Sequence, residues 1–383
     1  MMKVGVITKY FYPSLGGVER YVYETSSRLA KRDYSVKVMA PSASNQASFE
    51  RLNNIEVLRF PTLSFKRFDF SFQMYSYLRK ARFDIVHFHT FEILCRALRF
   101  GGLGDTPYFI TTHGLVWENP RSLLDSLAKS LGGKIMKNNF ANASKIFCVS
   151  RMDCRNVKKI TGNGNDVCQK LIYLPSGVDV EKFRAFEKAK IKERHGHSDK
   201  IIVTQVARFS PKKGQHVFLE AISQMEKKIS GDCIFVLAGF LQDEKYYSSL
   251  LQRARKIDAG KRIRFLPNVT DEQLLRIYME TDIFVLPSMA EGFPLSILEA
   301  WASKSGVIAS SVGGIPFFVK DGQDCILIPP NNSDILSQKI MSLVKDDKFR
   351  KSLSDNGYER ALKEFSWENV VKVISKEYDL ALG

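Results

Sequence analysis

Hydrophobic residues along the chain fall into short, nearly continuous runs that alternate with longer segments of helical periodicity. Runs of this kind, rich in Val, Ile and Phe, are typical of parallel strands that are buried on both faces. Helical segments such as Glu19–Lys31, Gln215–Lys228 and Asp271–Glu280 lie between them, and this alternation predicts doubly wound parallel sheets. The predicted strands are Lys3–Thr8, Ser35–Ala40, Ile55–Phe60, Ile85–His89, Tyr108–Thr112, Lys145–Val149, Ile201–Val206, Ile234–Ala238, Ile263–Phe265, Ile283–Leu286, Val307–Ser310 and Cys325–Ile328.

This strand and helix pattern runs twice, and a polar, charged stretch separates the two series. The first series ends near Leu171–Leu174, a new strand begins at Ile201, and the boundary is placed around Ser176–Asp199. We predict an N-terminal domain over residues 1–176 and a C-terminal domain over 177–365. A final helix over 366–383 is expected to pack back on the N-terminal domain. Two such sheets leave a cleft at their carboxyl edges, where open α/β sheets bind ligands.

Composition excludes several classes of protein. The 383 residues are 44% hydrophobic and 11% aromatic, which is ample for two buried cores and unlike a disordered chain. No apolar run is long enough for a transmembrane helix, and the first residues are read as a strand and not as a signal peptide. The six cysteines form no C-x-x-C pair, so neither a disulfide framework nor a zinc site is expected. We expect a cytoplasmic protein.

The stretch Pro287–Ala300 (PSMAEGFPLSILEA) carries the most chemical information. It follows a predicted strand, and Pro294 is predicted in the first turn of the next helix. Glu291 in the loop and Glu299 on that helix can accept hydrogen bonds from two sets of sugar hydroxyls. The start of the helix offers backbone amides to phosphate or hydroxyl oxygens, those of Gly292, Phe293 and Leu295.

Two further loops also combine a strand end with groups that suit an anion. Gly16 and Gly17 lie between a strand and a helix, where the lack of side chains lets the backbone approach a ligand closely. Arg208 and Lys213 flank a turn after another strand, and two fixed cations can neutralise a diphosphate. An ordinary turn and a solvated basic loop are the alternative interpretations of these two segments.

Three histidines follow strand ends in the N-terminal half. His113 comes directly after Tyr108–Thr112, so it is expected at the carboxyl edge of the sheet. His87 and His89 are predicted to divide between the two faces of their strand, so that at most one of them points to the cleft.

In order along the chain, these segments resemble the motifs of glycosyltransferase family 4, whose members are retaining, nucleotide-sugar-dependent enzymes. Glu291 and Glu299 match its pair of glutamates, and the resemblance covers nearly the whole chain. The other segments that carry it are Lys3–Glu24 (KVGVITKYFYPSLGGVERYVYE), Thr111–Gly114 (TTHG), Pro175–Asp179 (PSGVD), Arg208–Gly214 (RFSPKKG) and Ser311–Pro316 (SVGGIP).

The resemblance implies an α/β structure with the GT-B fold, in which two Rossmann-like, doubly wound parallel-sheet domains face a central cleft. The N-terminal domain would bind the acceptor and the C-terminal domain the nucleotide sugar. His113 and Glu291 would be catalytic residues. The donor diphosphate would contact Gly16, Gly17, Arg208, Lys213 and Leu295. The donor sugar would contact Gly292 and Phe293. The ribose or base would contact Glu299, Asn268 and Val269. Leu237–Phe240 and Leu266–Val269 depart from the family pattern, so UDP and GDP both stay open.

The chain contains no Asp-x-Asp sequence. A metal-dependent transferase would need carboxylates that hold a divalent ion on the diphosphate. Arg208, Lys213 and helix amides can supply that charge stabilisation instead. We therefore predict a metal-independent reaction, with no metal site and no cofactor other than the nucleotide-diphosphate sugar as co-substrate.

The net charge of +16 lies mostly in the first half, where residues 1–180 hold 26 basic and 14 acidic side chains. Within it, Arg59–Phe83 has six basic residues, one acidic residue and eight aromatic residues. On one helix Phe68, Phe72 and Tyr75 would share a stripe, with Lys66, Arg67, Arg79 and Arg82 nearby. An interfacial segment on an anionic membrane and a core-facing helix with a solvated basic edge both fit this pattern. Nothing resembles a nucleic-acid-binding module, so no nucleic acid is expected.

We thus predict a retaining glycosyltransferase that moves a sugar from a UDP- or GDP-sugar to a hydroxyl of a glycan or lipid-linked acceptor. Its product would be a cell-surface polysaccharide or a glycolipid, and it could lie on the inner face of the cell membrane. The alternatives are a sugar phosphorylase or sugar-nucleotide epimerase on the same fold, or a non-catalytic protein that binds membrane or nucleotide sugar.

Overall fold

The computed structural model divides the chain into two compact units, Met1–Ser176 with Trp367–Gly383, and Gly177–Ser366. It describes residues 1–9, 11–12, 16–42, 48–65, 68–89, 103–114, 123–162, 164–184, 200–225, 233–257 and 262–383.

In the N-terminal unit, eight of the described strands form one sheet. The strands are β1 (Met2–Ile7), β2 (Tyr34–Pro41), β3 (Ser48–Leu52), β4 (Ile55–Phe60), β5 (Leu63–Phe65), β6 (Phe68–Phe70), β7 (Ile85–Phe88), β8 (Tyr108–Thr112), β9 (Lys145–Cys148) and β10 (Leu171–Tyr173). The sheet order is β10-β9-β8-β7-β1-β2-β4-β3, and neighbours are parallel except for β3, which is antiparallel to β4. β5 and β6 form a separate antiparallel hairpin.

The C-terminal unit has a six-stranded sheet in which all neighbouring strands are parallel. Its strands are β11 (Ile201–Val206), β12 (Cys233–Gly239), β13 (Ile263–Pro267), β14 (Ile283–Leu286), β15 (Gly306–Ser310) and β16 (Ile326–Ile328). The order β13-β12-β11-β14-β15-β16 reverses direction between β11 and β14. In a doubly wound sheet that reversal opens a ligand-binding crevice at the carboxyl ends of the two central strands.

Helices connect most of these strands. Their bounds are α1 (Gly17–Ala30), α2 (Phe72–Ala81), α3 (Leu123–Asn142), α4 (Arg151–Thr161), α5 (Asn165–Cys168), α6 (Val180–Arg184), α7 (Gln215–Met225), α8 (Glu244–Ala254), α9 (Asp271–Glu280), α10 (Leu295–Ala302), α11 (Ser333–Lys345), α12 (Asp347–Glu364) and α13 (Trp367–Leu382). Local signals set several ends: Ser150 caps α4, which stops at Gly162 with φ of +80°, and Thr270 and Gln273 form a capping box on α9.

Apolar side chains cover both faces of the C-terminal sheet. Along β14, Ile283 and Val285 join one core cluster, whereas Phe284 and Leu286 join the other. All four are at most 1% exposed. This double burial explains why the strand appears in the sequence as a continuous apolar run.

The predicted α/β class with doubly wound parallel sheets is confirmed, and the predicted strands are present within about two residues. Strands β3, β5 and β6 were not predicted, and β10 lies where the first series was predicted to end. The prediction that Pro294 belongs to the first helical turn was wrong, because Pro294 is extended (φ −77°, ψ 110°) and α10 begins at Leu295. Of the predicted helix Gln215–Lys228, the part beyond Met225 lies outside the described residues.

The proposal of one helical stripe in Arg59–Phe83 was also wrong. The segment comprises the end of β4, the hairpin β5–β6 and the helix α2. Phe68 lies in the hairpin and not on the helix that carries Phe72 and Tyr75, so the three do not share one helix face. Lys66 and Arg67 lie outside the described residues.

Candidate active site

Three loops of the C-terminal unit meet at the crevice predicted by its strand order. They follow β11, β14 and β15 and comprise Arg208–Gly214, Pro287–Pro294 and Ser311–Pro316. The Met289 amide donates to the Lys212 carbonyl at 2.8 Å, which joins the first loop to the second. The Gly314 amide donates to the Glu291 carbonyl at 3.1 Å, which joins the third loop to the second. Sequence segments far apart in the chain thus form one connected site.

Two glycines allow this close approach. Gly214 has a φ of +71°, and a Cβ there would lie 2.0 Å from the Pro287 carbonyl oxygen. Gly313 has a φ of +54°, and a Cβ there would lie 1.8 Å from the Glu291 carbonyl oxygen. Any side chain at either position would combine backbone strain with a collision, so both loops depend on glycine to reach the second loop.

The central contact is an ion pair between Lys213 and Glu291. Lys213 Nζ lies 2.7 Å from Glu291 Oε1, and the same oxygen accepts a hydrogen bond of 2.7 Å from the Ser288 hydroxyl. The Lys213 side chain is 19% exposed and that of Glu291 is 7% exposed. Among the described residues, Oε2 of Glu291 accepts no hydrogen bond, so one carboxylate oxygen is held while the other can receive a ligand hydroxyl.

Arg208, the second predicted cation, is exposed at the start of the first loop. The following residue, Phe209, is fully buried and its amide donates to the Phe240 carbonyl at 2.8 Å. The buried Phe209 fixes the backbone next to Arg208, while the guanidinium stays on the surface. Lys212, between the two predicted cations, is exposed.

The helix α10 can offer its first backbone amides to a ligand, whereas its apolar side chains pack on the core. Leu295 is the first helical residue, so its amide has no acceptor within the helix and can bind an anion. The side chains of Leu295 and Phe293 pack on the core, and the Phe293 ring lies 4.5 Å from that of Phe318. Contacts of Phe293 and Leu295 with a ligand would therefore use the backbone. Glu299 is 7% exposed on the same helix.

Asn268 and Val269 follow β13, which is the edge strand two places away from β11. Asn268 has a φ of +54°, a conformation that Asn tolerates better than most residues. Its amide donates to the Gly239 carbonyl at 2.8 Å, and its Oδ1 accepts from the Leu241 amide at 2.9 Å. The structure thus ties Asn268 to the loop after β12 and not directly to the ion pair.

In the N-terminal unit, Gly17 is the first residue of α1 and Gly16 directly precedes it. Gly16 precedes the first helical residue, and a Cβ there would lie 2.3 Å from Oε2 of Glu19. The Glu19 carboxylate therefore covers the start of the helix, where its charge complements the helix dipole. A diphosphate at this loop would have to displace that carboxylate.

The three histidines of this unit form one buried cluster. The rings of His87 and His89 are 4.3 Å apart, and Nδ1 of His89 lies 3.1 Å from Nε2 of His113. The prediction that His87 and His89 lie on opposite faces was wrong, because residues two apart in a strand point to the same face. His113 is partly buried, whereas His87 and His89 are at most 2% exposed.

Burial decides the charge of this histidine cluster. It lowers the pKa of His87 and of His113 to about 3, and it lowers the pKa of His89 well below its ordinary value. All three imidazoles are therefore neutral near pH 7. A neutral His113 can exchange a hydrogen bond with a sugar hydroxyl, but it brings no positive charge close to a developing cation.

Sequence reasoning missed the residues that hold this cluster. His87 contacts the Tyr378 hydroxyl at 2.6 Å through Nδ1 and the Thr111 hydroxyl at 2.7 Å through Nε2. The buried Asp153 accepts a hydrogen bond of 3.2 Å from the Gly114 amide, next to His113. Asp153 is in the first turn of α4, where the helix dipole alone favours an acidic residue. The sequence therefore contains no indication that Asp153 also binds the Gly114 amide.

The segment from β5 to the end of α2 exposes both apolar and basic side chains. Met74 and Leu78 bury the inner face of α2, while Phe72 is 69% exposed at its start and Leu63 in β5 is 66% exposed. The last turn of α2 and the residue after it contribute the basic residues Arg79, Lys80 and Arg82, all exposed. No helix among the described residues combines the length and hydropathy needed to span a membrane.

Comparison with known proteins assigns both parts of the chain. Residues 15–182 match the family model "Glycosyltransferase Family 4", and residues 187–360 match "Glycosyl transferases group 1". The chain therefore belongs to glycosyltransferase family 4 and is an enzyme of the glycosyltransferase class with the GT-B fold, as its motifs predicted.

Relatives and solved structures extend this comparison over the full length. The chain is 27% identical to a UDP-Gal:alpha-D-GlcNAc-diphosphoundecaprenol alpha-1,3-galactosyltransferase of Escherichia coli, over 99% of this chain and 96% of the relative. It shares its fold with sucrose-phosphate synthase from Thermosynechococcus elongatus (TM-score 0.79, 20% identity, 99% of each chain). It also shares its fold with Anabaena HepE in complex with UDP-glucose (TM-score 0.77, 18% identity, covering 99% of this chain and 100% of that one).

Proposed function

We propose that this glycosyltransferase takes a sugar from a UDP- or GDP-sugar and transfers it, with retention, to a hydroxyl of a glycan or lipid-linked acceptor. The observation that carries the proposal is the Lys213–Glu291 pair, 2.7 Å apart at the crevice of the C-terminal sheet. A nucleotide-diphosphate sugar presents an anion and a set of hydroxyls side by side, and these suit the cation and the carboxylate. The complex of Anabaena HepE with UDP-glucose, on the same fold, supports this donor class.

The proposed reaction breaks the bond between the sugar C1 and the diphosphate oxygen, and forms a bond from C1 to the acceptor oxygen on the same face. Arg208, Lys213 and the first amides of α10 would stabilise the charge that develops on the leaving diphosphate. A diphosphate oxygen would take the acceptor proton. Glu291 would bind sugar hydroxyls, and His113, being neutral, would contribute a hydrogen bond. These cations would make a divalent metal unnecessary.

The relative from Escherichia coli supports a lipid-linked acceptor, because its name specifies a sugar on diphosphoundecaprenol. Such an acceptor lies in a membrane, and the exposed Phe72 shares α2 with the basic residues Arg79 and Lys80, a combination that suits an anionic bilayer. We therefore propose that the enzyme works at the cytoplasmic face of a membrane, in the synthesis of a surface polysaccharide or glycolipid.

Donor binding is tested by thermal shift with a panel of UDP- and GDP-sugars, with and without EDTA. Stabilisation by one nucleotide series is expected, and it should be unaffected by EDTA. Lys213→Met should abolish the shift, while Lys212→Met, in the same loop, should preserve it. Absence of stabilisation by every donor would contradict the proposed donor site, and a strict metal requirement would contradict the charge argument. The anomeric configuration of the product, measured by NMR, decides between retention and inversion.

Membrane binding is tested by flotation with vesicles that contain phosphatidylglycerol and with vesicles of phosphatidylcholine alone. The wild-type chain is expected to float with the anionic vesicles at low salt. Phe72→Ser combined with Arg79→Ser should reduce flotation. The control is Phe49→Ser with Arg51→Ser, an exposed pair of the same chemistry in β3. Equal, salt-insensitive behaviour of all three proteins would refute the membrane proposal without affecting the donor proposal.

A further inference from the structure

Two buried glutamines hold the ends of the loop that carries Arg208 and Lys213. Gln205 in β11 donates from Nε2 to the Lys213 carbonyl at 2.6 Å. Gln215, the first residue of α7, donates from Nε2 to the Arg208 carbonyl at 2.9 Å. Both glutamines are 1% exposed. Because a carbonyl can only accept, these bonds determine which end of each amide faces the loop.

The side-chain oxygen of each glutamine has no hydrogen-bond partner among the described residues, which argues against a role in packing alone. Oε1 of Gln205 and Oε1 of Gln215 are buried and accept no hydrogen bond from the residues that the structure describes. A buried acceptor without a partner destabilises a fold. Methionine, of similar length and volume, would remove this unpaired acceptor, and it would also remove the donor to the loop carbonyl. Each amide therefore supplies one hydrogen bond and leaves one buried acceptor without a partner in the described part of the chain, so its net contribution to the stability of the unit is small.

The bonds act on the two residues that carry the charges. Gln215 holds the carbonyl of Arg208, and Gln205 holds the carbonyl of Lys213, so each cation is fixed through its own backbone. The Met289 amide from the neighbouring loop donates to the Lys212 carbonyl, and not to the carbonyl of Arg208 or Lys213. Electrostatic stabilisation of a leaving group depends on charges that are already in place before the reaction, and small displacements of such groups reduce it strongly.

We propose that Gln205 and Gln215 are positioning residues for the donor diphosphate. Their Nε2 groups hold the backbone of Lys213 and Arg208, so that both cations meet the diphosphate without rearrangement. The proposal rests on the proposed function, since it requires a nucleotide diphosphate at these two cations. It assigns to the glutamines no contact with the substrate.

The test uses the single variants Gln205→Met and Gln215→Met in the full chain. Gln224→Met is the matched control, because Gln224 also lies on α7 and donates from Nε2, in an exposed hydrogen bond of 3.1 Å to the Ser333 hydroxyl. Calorimetry measures the affinity for UDP and UMP, and for GDP and GMP, and thermal unfolding measures stability. Each glutamine variant is expected to bind the diphosphate about tenfold more weakly, with little change for the monophosphate. Its melting temperature should stay close to that of the wild type, because the lost hydrogen bond and the removed unpaired acceptor offset each other, and the control should match the wild type throughout.

Other outcomes would overturn the proposal. Unchanged affinity for the diphosphate in both variants would show that the loop holds its cations without the glutamines. A lower melting temperature, together with equal losses for the diphosphate and the monophosphate, would show a structural role. If the wild-type protein itself binds neither UDP nor GDP, the proposed function fails and this inference fails with it. If the wild type binds the diphosphate and both variants bind it equally well, the positioning role of the glutamines is refuted while the proposed function stands.

Discussion

Replacing Glu291 by glutamine should weaken the C-terminal unit and sugar transfer while preserving affinity for the diphosphate. Lys213 Nζ donates to Oε1 at 2.7 Å, and the two side chains are only 19% and 7% exposed. A hydrogen bond between charged groups contributes about 1.5–3 kcal/mol. The glutamine amide still offers an acceptor, so we expect a loss of about 1.5 kcal/mol. For a unit of this size that lowers the melting temperature by roughly 3–6 °C.

The same substitution should affect nucleotide and sugar in opposite ways. Neutralising Glu291 removes a negative charge beside the diphosphate site and leaves Lys213 available to the phosphates, so UDP or GDP should bind equally well or a few-fold more tightly. Transfer should fall about a hundredfold, or about 2.7 kcal/mol in activation free energy, because the proposed contact of the carboxylate with the sugar hydroxyls is lost. Lys213→Met should instead abolish binding of the nucleotide, because it removes the cation that is proposed to hold the diphosphate.

Calorimetry with UDP and GDP, initial transfer rates and urea unfolding measure these effects in both single variants and in the double variant. The control is Glu272→Gln, which removes an exposed ion pair with Arg276 on α9 and should change nothing measurable. Because the two residues share one contact, their stability losses should not add. Two results would refute the reasoning: losses that add within about 0.5 kcal/mol, or equal weakening of nucleotide binding by both single variants.

Three further predictions follow from the geometry. Burial lowers the pKa of His87 to about 3, so between pH 6.5 and pH 3 the unfolded chain binds a proton that the folded unit does not. His87 alone should therefore lower the stability on acidification in that window by up to about 1.4 kcal/mol per pH unit, and urea unfolding of His87→Leu should show a shallower slope. Gly313→Ala should lower the melting temperature and activity more than Gly322→Ala, since both have positive φ but only the first would collide with a neighbouring carbonyl. Asp153→Ala should release the backbone beside His113, and it should lower kcat in transfer assays without changing the affinity for the nucleotide.

Hydrophobic periodicity predicted most strands because buried parallel strands are apolar on both faces. It could not predict β3, whose residues SFERL are mostly exposed and form no apolar run. That edge strand exists through its pairing with β4, and pairing partners are not visible in a local pattern. The three-residue strands β5 and β6 are likewise too short to show a period.

The candidate residues of the C-terminal unit could be named from the sequence, but their pairing could not. Lys213 and Glu291 are 78 residues apart, and they meet only because β11 and β14 are neighbours in the sheet. The roles of Gln205 and Gln215 could not be predicted either, because a single glutamine in an apolar strand or at a helix start does not indicate which backbone group it binds. In the N-terminal unit, Tyr378 contacts His87 from the opposite end of the chain.

The sheet order of the C-terminal unit has an evolutionary consequence. The ion pair, both cations and Glu299 follow the central strands β11 and β14, whereas Asn268 and Val269, which the family resemblance assigns to the ribose or base, follow the edge strand β13. On that assignment, changes at the edge would alter which nucleotide is chosen while the central groups keep their positions. Grafting the segment around β13 from a relative with another donor would then convert one transferase into another without rebuilding its chemistry.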